Sequence, residues 1–247
     1  MLTLDARRFI EFIHTLLKLE QSCRGLSATA SVADAQDVVG SAADYMIKHL
    51  DGLDLPVSRK TVEEMILGAE TIGDLHAAVK QLWNTFALEL DGRKFYGPLR
   101  HYEKYYEQPK LFGDEVFTNF PNANNDIFEA GTCLALERGT ACVMHLMRVC
   151  EVGIKALAAA LSVGPQNDWG AYFREIDKAL DARAKAAGKR TPDEQFYAEV
   201  RVTLDGVRMA WRNATMHVEN NYSPEWAEEI LIAVRSLMRH LATKLSE

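Results

Sequence analysis

The residues best suited to chemistry stand close together near the C-terminus, in Ala210-Trp211-Arg212-Asn213-Ala214-Thr215-Met216-His217. A guanidinium holds a phosphate through two parallel hydrogen bonds. An imidazole titrates near neutrality and moves a proton beside it. Asn213 is four residues before His217, so on a helix its amide reaches the ring and fixes the tautomer. Arg201, Asp205, Arg208 and Arg212 recur at spacings of four, three and four and share one helical face. Asp205 can pair with Arg201 or Arg208, which leaves Arg212 the least committed cation. His217 follows Arg212 by five residues, and on a regular α-helix two such side chains diverge by about 140°. They converge only where the helix frays or turns, or where a second subunit supplies the partner.

Spacing alone is cheap. Arg8/His14, Arg138/His145 and Arg235/His240 also place an arginine five to seven residues before a histidine. Position separates Arg212/His217 from these: it marks a helix end, carries an adjacent Asn, and precedes the segment 218–222. Two readings stay open at this level, a phosphate site and a helix-end histidine beside a surface arginine.

The elements that must position this cluster have the helical period. A first helix is expected over about 4–20 and a second over about 32–50. Thr61 with Glu64 reads as a capping box opening a third. That helix is expected to break near 68–73 and to resume over 74–90, where Asp91-Gly92 stops it. Residues 94–112 gather Phe95, Tyr96, Tyr102, Tyr105, Tyr106 and Phe112 around Pro98 and Pro109. They read as a connector whose rings pack on helices, with a short strand at 94–96. The segment 117–125, with Pro121 and four asparagines, reads as a loop. The domain boundary falls near Gly113, giving a helical N-terminal region (1–113) and a C-terminal domain (114–247).

From Asp126 the pattern is four helices. The first, to Leu161 with Gly139 as a break point, is apolar over so much of its circumference that it must be buried from two sides. A central bundle position and a dimer interface both satisfy this. Trp169–Ala187 ends at Gly188. Thr191-Pro192-Asp193-Glu194 and Ser223-Pro224-Glu225 each pair an N-cap with proline at the first helical position. Phe196, Val200, Leu204, Val207 and Trp211 form one core stripe. Trp226, Ile230, Ala233, Leu237, Leu241 and Leu245 form the other. On the first helix, Arg148 and Glu151 are expected to pair at i,i+3.

The chain has 247 residues and a formal charge of −7, so contact with nucleic acid must come from a local basic patch. Cys23, Cys133, Cys142 and Cys150 show no CxxC spacing and read as buried thiols, without zinc. There is no P-loop, GxGxxG, HExxH or GxSxG. The first helix is amphipathic and unlike a signal peptide, and no apolar run approaches the ~20 residues a bilayer requires. A soluble, cytoplasmic, all-α protein is expected, with neither metal nor cofactor.

Arg212-Asn213-x-x-x-His217, near the end of the third helix of a four-helix unit, resembles the Arg-x(4–6)-His signature of the HEPN superfamily, in which a polar residue commonly follows the arginine. The stretch from Glu129 to Arg148 is similar to the opening helices of bacterial proteins with HEPN-like C-terminal halves. The resemblance covers roughly residues 115–245. It implies a HEPN-like four-helix domain that dimerises through the 126–161 helix and the Arg212/His217 face, and a metal-independent endoribonuclease of stress, defence or toxin type. His217 would act as base or acid on a ribose 2′-hydroxyl. Arg212 would bind the scissile phosphate and Asn213 would orient either partner, with Arg208 and Tyr222 contacting substrate. RNA and a cognate antitoxin are the implied partners. Some toxin members carry a nucleotidylated tyrosine two residues after the histidine; here that position is Glu219. Many members are catalytically inactive dimerisation or nucleotide-binding modules, which is the alternative.

Overall fold

The computed structural model describes residues 6–95, 97–212 and 221–247, except for the side chains of Asp34 and Ala187. The described residues form helices and no strand, so the protein is all-α; Ser31 and Thr71 meet in a single isolated bridge. None of these helices is long and apolar enough to cross a membrane. The chain divides into two compact units, Met1–Phe95 and Tyr96–Glu247.

In the first unit, α1 (Ala6–Cys23) buries Phe12, Leu16, Leu19 and Cys23, and α2 (Gln36–Gly52) buries Val39, Ala43, Met46 and Leu50. Both stripes step four, three and four residues, the period that keeps one helical face toward a core. α3 (Pro56–Thr61) starts with proline at its first position and runs directly into a π-wound turn, Val62–Ile66. Thr61 is therefore inside a helix, its hydroxyl donating to the Val57 carbonyl at 2.9 Å. The expected Thr61/Glu64 capping box does not form. The true start of α3 is capped from a distance: Glu89 accepts from the backbone N–H groups of Val57 (2.9 Å) and Ser58 (2.7 Å). The capping box belongs to Thr71 and Asp74, which open α4 (Ile72–Leu90).

The second unit begins earlier than the Gly113 boundary read from the sequence. Tyr102, Tyr105 and Phe112 are buried in its core, so the aromatic connector belongs to it. Lys94 and Phe95 carry no regular structure, and Tyr96, the end of the expected strand, lies outside the described residues. The segment expected to be a loop over 117–125 is largely helical. α5 (Asp114–Asn119) and a 3-10 turn at Pro121–Ala123 lead into α6 (Asn124–Ala135), with Phe120 and Ala123 fully buried.

The long first helix of this domain is two helices. Glu137, at φ +59°, turns the chain between α6 and α7 (Gly139–Ala160). α7 packs on α6, on α8 (Trp169–Ala187), on α9 (Pro192–Val207) and on α10 (Pro224–Ala242). This central position accounts for its wide apolar surface. α8 ends at the left-handed Gly188, α9 opens with the Thr191/Glu194 capping box, and Ser223 caps α10. The α10 stripe differs from the expected one: Ala227, Leu231, Val234 and Met238 are buried with Ile230, Leu237 and Leu241, while Ala233 is exposed and Trp226 half-exposed.

Candidate functional site

The polar face of α9 is built as its spacing suggests, and Asp205 serves both arginines. Arg201 reaches Asp205 at 3.0 Å and Asp177 of α8 at 2.7 Å, and Arg208 reaches Asp205 at 2.7 Å. Both guanidinium groups lie over the Phe173 ring, at 5.2 and 5.3 Å from its centroid. Arg208, expected to contact substrate, is thus held in a structural network that joins α9 to α8.

From Arg208 to Arg212 the winding changes from α to π. Such single turns widen a helix and recur at functional sites. Arg212 is half-buried, and no described acidic side chain pairs with it. Asn213 and His217 lie outside the described residues. The two ends of the segment that carries them are joined: the Tyr222 hydroxyl donates to the Trp211 carbonyl at 3.3 Å. Tyr222 is itself buried, and its N–H donates to Thr140 Oγ1 at 3.0 Å. It anchors the site's frame; its side chain is not open to a substrate. Gly139 makes this junction fit, because a Cβ there would stand 2.3 Å from the Tyr222 carbonyl oxygen. The rival pairs are differently engaged, with His145 held by Asp126 and the His240 ring tilted against Phe196 at 4.8 Å between centroids.

No family model, curated protein or solved structure matches this chain.

One polar cluster escaped the sequence. Asp126, at the start of α6, is buried and binds two side chains of α7: His145 Nδ1 at 2.8 Å and Arg148 Nε at 2.7 Å. Burial pushes the Asp126 carboxyl up, but the hydrogen bonds and charges of Arg148 and His145 outweigh it and hold the group below its ordinary range. The expected Arg148–Glu151 pair does not form. Glu151 pairs with Lys155 one turn on, at 2.8 Å. A buried aspartate in the first turn of one helix, with His and Arg three residues apart on the next, was the available signal.

Proposed function

We propose that the second unit is a HEPN-like four-helix domain, with α7, α8, α9 and α10 as its helices, and that it cleaves RNA without a metal at a cleft between two copies of the chain. The observation that carries this reading is the state of Arg212. It is the arginine of this face left without a described carboxylate, and it stands in the π-wound turn that continues α9. The Tyr222–Trp211 hydrogen bond fixes both ends of the His217 segment at the same place. Exposed apolar surface adjoins it, in Met209 and in Trp226, whose ring is tilted against Tyr222, as a pairing face requires.

In this reading His217 takes the proton of a ribose 2′-hydroxyl as that oxygen attacks phosphorus. The 5′-oxygen departs and takes up a proton, leaving a 2′,3′-cyclic phosphate and a 5′-hydroxyl. Arg212 neutralises the charge that develops on the phosphoryl oxygens, and Asn213 orients the imidazole. A specific observation favours a second reading, a silent dimerisation or nucleotide-binding module: Asp177 and Asp205 neutralise Arg201 and Arg208, which leaves little positive surface for an RNA backbone.

Incubation of a mixed RNA pool with the full chain in EDTA separates the two. Cleavage to cyclic-phosphate ends, lost in both Arg212→Ala and His217→Ala with folding intact, is the nuclease result. Absence of cleavage across several RNA classes leaves the silent module.

A further inference from the structure

Asp126, Glu129 and Cys133 stand at positions i, i+3 and i+7 of α6, one face of that helix. His145 approaches from α7. A ring nitrogen of His145, a Glu129 carboxylate oxygen and Cys133 Sγ lie within 4.8 Å of one another, all three residues half-buried. We propose that Glu129, Cys133 and His145 bind a borderline-soft divalent cation of the Zn²⁺ class. The site is independent of the Arg212/His217 reading.

The donor set itself selects this class. A thiolate and an imidazole favour zinc-like ions over Mg²⁺ or Ca²⁺, and a carboxylate completes a set that zinc accepts. The support is in place. Asp126 accepts a hydrogen bond from His145 Nδ1, which leaves Nε2 as the nitrogen with a free lone pair. Metal-binding histidines are held by a carboxylate in this way, which fixes the tautomer and raises ligand basicity. Arg148 in turn holds the same aspartate oxygen at 2.7 Å.

The size is right after a small contraction. Donors around a tetrahedral zinc lie about 3.5 Å apart, given bond lengths of about 2.0–2.3 Å, so the trio closes by roughly 1 Å through side-chain rotation. Half-burial leaves a path from solvent. Three protein donors leave the fourth position for water or a ligand, as in zinc sites that stay open. The thiolate and not the thiol is the ligand, so binding releases the thiol proton. The sequence hid the site because its donors are spaced Glu-x(3)-Cys-x(11)-His across two helices, with no CxxC to announce them.

The test is titration of the metal-stripped full chain with Zn²⁺ by calorimetry, and with Co²⁺ followed by absorption. Equimolar uptake, a thiolate-to-cobalt charge-transfer band and release of a proton are expected. Cys133→Ser and Glu129→Gln should each weaken uptake tenfold or more, and Asp126→Asn about 10- to 100-fold through the histidine. Arg212→Ala should leave uptake unchanged, so this outcome and the fate of the nuclease reading are read separately. Helicity by circular dichroism checks each variant. Should Asp126→Asn fail to fold, the half-exposed Cys133 and Glu129 variants decide. Absence of equimolar uptake, or uptake undiminished in Cys133→Ser, overturns the proposal.

Discussion

Gly139→Ala is a one-carbon change that the second unit should tolerate poorly. The added Cβ would stand 2.3 Å from the Tyr222 carbonyl oxygen and 2.8 Å from that of Ser223, against the 3.4 Å at which ordinary contact begins. The backbones must therefore part by about 1 Å, and neither is free to yield. The Tyr222 N–H is tied to Thr140 Oγ1, and Ser223 caps α10. Overpacking of this kind costs about 1–3 kcal/mol, and loosening the hydrogen bond and the cap adds about 1 kcal/mol. The expected loss is about 3 kcal/mol, which for a unit of this size lowers Tm by roughly 6–12 °C.

Two other glycines calibrate the measurement. At Gly153 a Cβ meets only the ends of the Leu241 and Met238 side chains, at 2.8 and 3.3 Å, which can rotate away. At Gly206 it meets nothing within 4 Å, and alanine in a helix interior gains about 0.5–1 kcal/mol. Thermal and urea unfolding, followed by the fluorescence of Trp169, Trp211 and Trp226, should rank Gly206→Ala above wild type, Gly153→Ala slightly below it, and Gly139→Ala lowest. A Gly139→Ala protein as stable as the Gly206→Ala one would refute the argument that carbonyl contact, and not local helix preference, places the α6–α7 break.

The first unit should show a pH-dependent cap. Burial pushes the Glu89 carboxyl up, but hydrogen bonds from Ser58 and Val57 outweigh that, aided by Arg93, and its folded-state pKa lies below the ordinary carboxylate value. Its contribution is therefore complete above that value and is lost as pH falls through the folded one. Glu89→Gln should cost about 1–2 kcal/mol near neutrality, and urea unfolding across a pH series should show the gap to wild type closing in acid. On α9, Arg201→Ala strips a partner from both Asp177 and Asp205 and should destabilise by about 1–3 kcal/mol. Arg212→Ala should stay within about 0.5 kcal/mol in the same unfolding assay, so that any loss of RNA cleavage in that variant is chemical. Burial drives the thiols of Cys142 and Cys150 up to about 12, so a thiol reagent at neutral pH should label them only as fast as the second unit unfolds.

Features written in consecutive residues were readable in the sequence. The caps Thr191-Pro192 and Ser223-Pro224, the Gly188 terminus of α8 and the Phe196–Val207 stripe each follow from a few neighbouring positions, and the structure has them all. Errors arose where a distant residue outbid a local pattern. Thr61-x-x-Glu64 has the form of a capping box, yet the N-cap of α3 is Leu55, six residues earlier, because Glu89, on α4, caps that start. Arg148 and Glu151 have pairing distance on one helix, yet a buried aspartate on α6 captures the arginine. Phe117–Asn125 has loop composition, yet Val116, Phe120 and Ala123 bury enough apolar surface to hold short helices. Of the proposed catalytic trio, Arg212 was legible as the uncommitted cation because its i−4 and i−7 neighbours on the same face, Arg208 and Asp205, can satisfy each other.

That division of charge bears on how an RNA could be handled at all. Binding strength to a polyanion rises with the number of phosphates neutralised. Along α9 and the π-wound turn that continues it, two of the three arginines on this face already have carboxylates, and the chain as a whole carries −7. Arg212 alone cannot draw RNA in by electrostatics, and pairing two copies only doubles a small number. A nuclease built this way must depend on what happens at the scissile phosphate, where one guanidinium in a partly desolvated setting acts on charge that appears in the transition state. Its site therefore has to be held rigidly, and the π-wound turn, the Tyr222–Trp211 hydrogen bond and the Gly139 contact are the features that hold the described part of it. Loosening that frame should harm turnover more than it harms binding, whereas for a silent module that depends on the same arginine for affinity the two would fall together.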